Sequence, residues 1–405
     1  MYNQLSRRVV VLRACLLSFA VTLSVGTPGL DARAQGSFIF ANTSEYKTMD
    51  PNVLFGIAWV AVPLNLYDGL MRWEDNPPKL EHWLAESYTV SPDGLVYTFK
   101  LRRGVKFHDG SQLTSADVVY SVERVLAMKQ GPAALFAPLI AAGSTKAPDP
   151  YTVEFNLTKP SATFVSRIHE ISVVNSKLVK SKEVDGDWGN KWLSTNDGGS
   201  GAFVLEKFDP AVGFLATRFK DHFKGWDTKY LDRIQFRTVR EQTTRVLGLI
   251  KGDFQGTDGY LPQEQLDQLK QSGKVQIIEQ PSMRVAVIEI NNQRPPFDDP
   301  AVRRAISYAF DYESLINHVL RGTVVRNTGP IPTNMWGYPA QEPGYKFDLA
   351  RAKSELEKAK SKVDRPVMIN SMVGYNQTDS IAQILQNGLK QIGIEAKRFI
   401  EVGNG

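Results

Sequence analysis

The only cysteine among the 405 residues, Cys15, lies inside a leader-like segment, so the remainder of the chain has no thiol for a disulfide or a soft metal. Whatever fold follows is held by packing, hydrogen bonds and ion pairs alone. Arg7, Arg8 and Arg13 form a basic head, Ala14 to Val25 is apolar apart from Ser and Thr, and Ala32-Arg33-Ala34 fits a small-x-small cleavage site. Residues 1–34 therefore read as an export signal, which places the mature chain in the periplasm. The arginine pair leaves a twin-arginine route open beside general secretion. Arg13 and Ala14 directly before Cys15 argue against a lipid anchor there. No stretch reaches the roughly 18 to 20 consecutive apolar residues that a membrane helix needs.

Loss of the signal removes Arg7, Arg8, Arg13, Arg33 and Asp31, and the formal net charge falls from +5 to +2. That balance implies no nucleic-acid partner. Hydrophobic residues at 42% and charged residues at 22% describe a folded chain long enough for two or three domains.

The pattern along the chain is mixed α/β. Phe38 to Ala41 reads as a short strand running into a polar loop that ends at Asp50-Pro51, the kind of loop in which α/β proteins place ligand contacts. "YTVSPDGLVYTFKLR" alternates about a Pro-Asp-Gly turn and predicts a hairpin with one wet face. Next comes "GVKFHDGSQLTSADVVYSVERVL". Asp109-Gly110 supplies a tight turn, Thr114 with Asp117 forms a capping box, and Val118, Val119, Val122, Val125 and Leu126 recur at helical spacing. Every residue type in the stretch has a structural task, so His108 reads as scaffolding and not as a catalytic or metal-binding group. "DPYTVEFNLTKP" is a further alternating strand.

Gly198, Gly199 and Gly201 precede two strands joined by Asp209-Pro210. No helix and no Gly-Lys-Ser/Thr follows the glycines, so they predict a flexible crossing between domains and not a phosphate loop. From Leu231 onward strand and helix alternate: a helix carrying Val246, Leu247 and Ile250 stops at Gly252, and another starts near Pro262 and stops at Gly273. "KVQIIEQ" and "MRVAVIEINN" predict strands. Asp299 caps a helix with Pro300 at its first position and Ala301, Val302, Ala305, Ile306 and Ala309 facing a core; Asp311 caps a second, ended by Gly322. A charged helix (349–360), a strand (367–373), a helix (379–391) and "GIEAKRFIEV" complete the pattern, which predicts a mostly parallel sheet covered by helices.

Taken in order, "YDGLMRW", "LAESYTVSPDGLVYTFKLRRGVKFHDGSQLTSADVVYSVERV", "GSGAFVLEKF", "LDRIQFRTVREQTTRVLGLIKGDF", "INNQRPPFDDPAVRRAISYAFDYESLI" and "IAQILQNGLKQIGIEAK" resemble the extracytoplasmic solute-binding proteins of ABC transporters of the peptide/nickel type, family 5. The resemblance implies a two-lobed periplasmic binding protein fold, α/β, with an extra α+β domain inserted in the first lobe. Residues 35–70 and 198–275 would form lobe I, 71–197 the inserted domain, and 276–405 lobe II. It further implies a monomer without a cofactor that closes on a small solute, a di- or oligopeptide above all, and delivers it to an ABC permease. Relatives continue past "GIEAKRF", so lobe II is expected to be C-terminally incomplete, with an exposed sheet edge.

The candidate ligand-binding residues come from loops expected to face the cleft. Asn42, Thr43, Ser44 and Tyr46 follow the opening strand, and Asn291 and Asn292 end a strand near the crossing between lobes. Trp336 lies in a long Pro/Gly-rich loop, and Tyr375 follows the strand 367–373. Two other classes compete with the transport receptor. An exported hydrolase would want a nucleophile elbow or a His with a carboxylate orienter, and the mature chain offers no Gly-x-Ser-x-Gly, no HExxH and no cysteine, "GGSGAF" being the nearest approach. A binding protein with sensing or chaperone duty would look the same in sequence.

Overall fold

The computed structural model describes residues 36–56, 59–76, 78–227, 230–259, 261–335, 337–339, 344–372 and 376–401. Ser37–Asn42 is the second strand of a five-stranded sheet whose order is Gly256–Thr257, Ser37–Asn42, Arg233–Thr238, Gly213–Arg218, Phe203–Asp209. The first three run parallel and the last two are antiparallel. The sheet is therefore mixed, because the Asp209-Pro210 turn feeds a hairpin where a helical crossover would have kept strands parallel. Tyr46, Phe214 and Ile234 pack under one part of this sheet, and Ala41, Val246, Leu249 and Phe254 under another.

A second sheet, Ala85–Val90, Val96–Leu101, Thr152–Asn156 and Lys146–Asp149, is antiparallel throughout. Tyr97, Phe99 and Leu101 alternate inward, as period-two spacing requires. The helix Ser115–Met128 packs Val118, Val122 and Val125 on the same core. Its start is fixed by the capping pair: Thr114 N–H and hydroxyl both donate to Asp117 Oδ2, at 2.8 and 3.1 Å.

The third core joins the helices Pro300–Ala309, Leu349–Glu357 and Asn376–Gln391 to a parallel strand pair, Val367–Met372 with Ala396–Glu401. Asp299 accepts from Ala301 N, Pro300 stands at the first turn, and all five apolar positions named above are buried. Gly388 lets two of these helices touch, since a Cβ there would lie 1.9 Å from Ala309 O.

Three expectations are corrected. Gly198–Ser200 is buried, and a Cβ on Gly199 would meet Leu66 O at 1.9 Å, so the glycines exist for close packing and not for flexibility. Leu247 is exposed, and Leu249 takes its inward place beside Val246. Residues 276–290 have strand composition but form no ladder among the described residues, and Val287 is 60% exposed. A strand needs a neighbour to complete its hydrogen bonds, and β propensity alone supplies none.

Candidate functional site

The carboxyl ends of the three parallel strands, at Asn42, Thr238 and Thr257, lie on one side of the sheet because parallel neighbours finish together. Such ends are where α/β sheets hold ligands. Thr257 hydroxyl donates to Ala41 O at 2.7 Å, and Asn42 O accepts from Val239 N at 2.8 Å. The loop beyond Asn42 is then fastened across the tips. Thr43 N–H and hydroxyl donate to Asp258 Oδ2 at 2.7 and 2.8 Å, and Asn42 Nδ2 and Thr238 hydroxyl both reach Ser44 O, at 2.7 and 3.3 Å.

Charge at these tips is paired. Arg245, wholly buried, donates through Nη1 to Val239 O and Arg240 O at 2.7 and 3.1 Å, and its Nη2 stands 3.7 Å from Asp258 Oδ1. Arg240 pairs with Glu45, whose carbonyl accepts from Trp59 Nε1 at 3.0 Å. Asp258 Oδ1 has Arg245 Nη2 as its ion-pair partner, whereas Asn42 Oδ1 is buried without a hydrogen-bond donor among the described residues. Buried acceptors left this way are uncommon, and a bound donor would relieve them.

The candidates read from sequence therefore divide. Asn42 and Thr43, 6% and 8% exposed, and half-buried Ser44 sit together at the strand tips. Tyr46 does not face open space: its ring stands edge-on to Phe214 at 5.1 Å, and burial first, then the charge of Asp258, pushes its phenol well above the usual range. Asn291 and Asn292 are exposed at the end of the unpaired segment, where Asn291 Oδ1 accepts from Gln293 N at 3.2 Å. Trp336 and Tyr375 lie outside the described residues. Thr238, Asp258, Arg245 and Arg240 escaped the sequence reading. Thr238 and Asp258 were findable, because each stands at or just past the end of a strand, as Asn42 does.

His108 is far from this cluster in its bonding, tied instead to Asp197 and Gly201. Asp109 closes the turn through Ser111 and accepts from Asn175 Nδ2 at 2.8 Å. Among the described residues no group of three or more His, Cys, Asp or Glu could hold a metal, and no helix is long and apolar enough to cross a membrane.

The family described as "Bacterial extracellular solute-binding proteins, family 5 Middle" matches residues 79–398. The chain belongs to this family. Among family 5 relatives, "Probable D,D-dipeptide-binding periplasmic protein DdpA" of Escherichia coli (strain K12) is 31% identical over 400 residues, covering 96% of this chain and 75% of the relative. The periplasmic binding protein DppA from Helicobacter pylori, solved with the peptide STSA, superposes with a TM-score of 0.76 at 26% identity, over 90% of this chain and 74% of that one. NikZ from Campylobacter jejuni, solved with Ni(L-His), superposes with a TM-score of 0.78 at 21% identity, over 91% and 74%, and shows the fold alone. The family 5 fold is that of two-lobed α/β binding proteins.

Proposed function

We propose that this chain is the periplasmic solute-capturing receptor of an ABC importer, that it closes two lobes on a short peptide or peptide-like solute, and that it hands the solute unaltered to a membrane permease. Capture of this kind selects by a few placed polar groups and by burial, and ligand binding shifts an open/closed equilibrium that the permease reads. In this reading 35–70 with 198–275 make lobe I, 71–197 an inserted body, and 276–405 lobe II, in a monomer. Asn42, Thr43 and Ser44 are the ligand-facing residues of lobe I, with Asn291, Asn292, Trp336 and Tyr375 contributed from the other side. Tyr46 supports the loop from beneath.

The observation that carries the reading is Asn42 Oδ1 at the strand tips, a buried acceptor without a hydrogen-bond donor among the described residues, which a peptide N–H group could serve. The names of a D,D-dipeptide-binding relative and of a peptide-bound neighbour support the same solute class. A thermal-shift screen of di- to pentapeptides tests it: ligand at a hundred times its Kd stabilises by about 2.7 kcal/mol. A rise for one peptide class, with the peptide recovered uncut, is the expected result. No rise for any peptide removes the solute class, and cleaved peptide replaces the receptor with an exported hydrolase.

A further inference from the structure

The bonding around His108 asks more of that residue than scaffolding. Its Nδ1 lies 2.9 and 2.8 Å from Asp197 Oδ1 and Oδ2, and its Nε2 lies 2.9 Å from Gly201 O. Both ring nitrogens thus face acceptors. A neutral imidazole carries one N–H and would turn a lone pair against oxygen on its other side; only imidazolium donates from both. Asp197 is itself held in place, since Oδ1 accepts from Gly199 N at 2.7 Å and Oδ2 from Leu205 N at 2.9 Å. Each carboxylate oxygen is already committed as an acceptor.

We infer that His108 is a doubly protonated staple between the turn at 107–111 and the glycine-rich crossing at 197–201, and that its loss of a proton in alkaline solution loosens this joint. The geometry of the joint makes it sensitive. Both side chains are 6% exposed, His108 N donates to Gly199 O at 2.9 Å, and the ring stands edge-on to Phe219 at 4.9 Å. The crossing has no slack, since Gly199 and Gly201 rest on the backbone of Leu66 and Tyr67. The staple therefore ties the core of the four-stranded sheet to the strand Phe203–Asp209 of the other sheet.

The charged and titratable surroundings favour the cation. Asp197 faces it directly, and Asp68 adds a second negative charge while accepting from Trp83 Nε1 at 2.6 Å and Ser200 hydroxyl at 2.7 Å, with His222 Nε2 standing 3.7 Å away. Tyr67, near Asp197, has its phenol held well above the usual range by burial, so it stays neutral. On the turn itself, Asp109 is bound to Ser111 and Asn175, and Lys106 pairs with Asp221 at 2.8 Å. Glu206 and Lys207 line a cavity of about 340 Å³ that reaches His108 and gives protons a route. Burial works against the charged ring, but the charge and hydrogen bond of Asp197, the Gly201 carbonyl and Asp68 outweigh it and hold the imidazole above its ordinary 6.5.

The sign follows: a group with a raised folded-state pKa contributes fully below 6.5 and is lost as pH rises through the higher folded value. The test uses the full chain without ligand. In ¹⁵N-labelled protein, with the signal assigned by His108→Gln, both ring nitrogens should be protonated at pH 7.5, where a free histidine is about 90% neutral. The folding equilibrium constant should fall by up to about tenfold per pH unit through the alkaline step, and His108→Gln should lack that step. An unprotonated nitrogen in the folded protein at pH 7.5 overturns the inference, as does an identical alkaline step in His108→Gln. Should the variant not fold, Gln variants of His82, His169, His222 and His318 assign the His108 signal by elimination, and its ring nitrogens decide alone.

Discussion

The guanidinium of Arg124 grips both carboxylate oxygens of Asp50, and neither side chain has any exposed surface. The pair is fully served. Arg124 Nη1 also reaches Asn52 Oδ1 at 3.0 Å and its Nε reaches Trp188 O at 2.8 Å, while Asp50 Oδ2 accepts from Asn190 Nδ2 at 2.7 Å. One helix thereby fastens the loop after the first strand and the 188–190 turn at a single point. Removing one partner leaves an uncompensated buried charge, so Arg124→Met should cost about 3 to 5 kcal/mol in urea unfolding. Combined with Asp50→Leu, the loss should be smaller than the sum of the two single changes. An additive double-mutant cycle would show that the two residues do not act as a pair.

Glycine 199 gives a second prediction. Its Cβ position is filled by Leu66 O, whereas Gly110, with φ +85°, has open space around it. Gly110→Ala should cost about 1 kcal/mol through backbone strain alone, and Gly199→Ala should cost several times as much or prevent folding. Equal melting temperatures for the two variants would mean that the crossing can move aside.

The strand-tip cluster predicts a division of labour. Asp258→Ala deprives Thr43 of its acceptor and removes the carboxylate that stands 3.7 Å from the buried Arg245, so stability should fall by about 3 kcal/mol. Asn42→Ala removes only a neutral amide. It should weaken peptide binding about fivefold, the worth of one hydrogen bond, with a much smaller change in melting temperature. Binding by Asn42→Ala equal to wild type would remove Asn42 from the site.

Acid should act through Asp68. Burial opposes its charge, yet His222, Trp83 and Ser200 more than offset this and hold its carboxyl below 3.8. A depressed carboxylate contributes above its unfolded value and is lost as pH falls through the folded one. Stability should therefore drop below about pH 4, and Asp68→Asn should show a shallower acid limb. An unchanged acid limb in the variant would assign the loss to other carboxylates.

How far the sequence reaches depends on the range of the forces. The helix Pro300–Ala309 was fully legible, because its cap, its first proline and its apolar spacing all lie within eleven residues. The hairpin about Ser91–Gly94 was legible for the same reason. Gly199 was not, since a glycine reads as freedom until the distant Leu66 carbonyl is known to occupy its missing side chain. Nor was the acceptor role of Asp258, which meets Thr43 from 215 residues away. Residues 276–290 look like strand by composition, but pairing is decided elsewhere in the chain.

The central claim is that the chain holds a small solute without changing it. Native mass spectrometry of the purified protein after incubation with a defined peptide mixture tests this most directly. The account predicts a one-to-one complex that releases a peptide of unaltered mass. Peptide fragments in the mixture, or protein that stays unliganded at every peptide concentration, would contradict it.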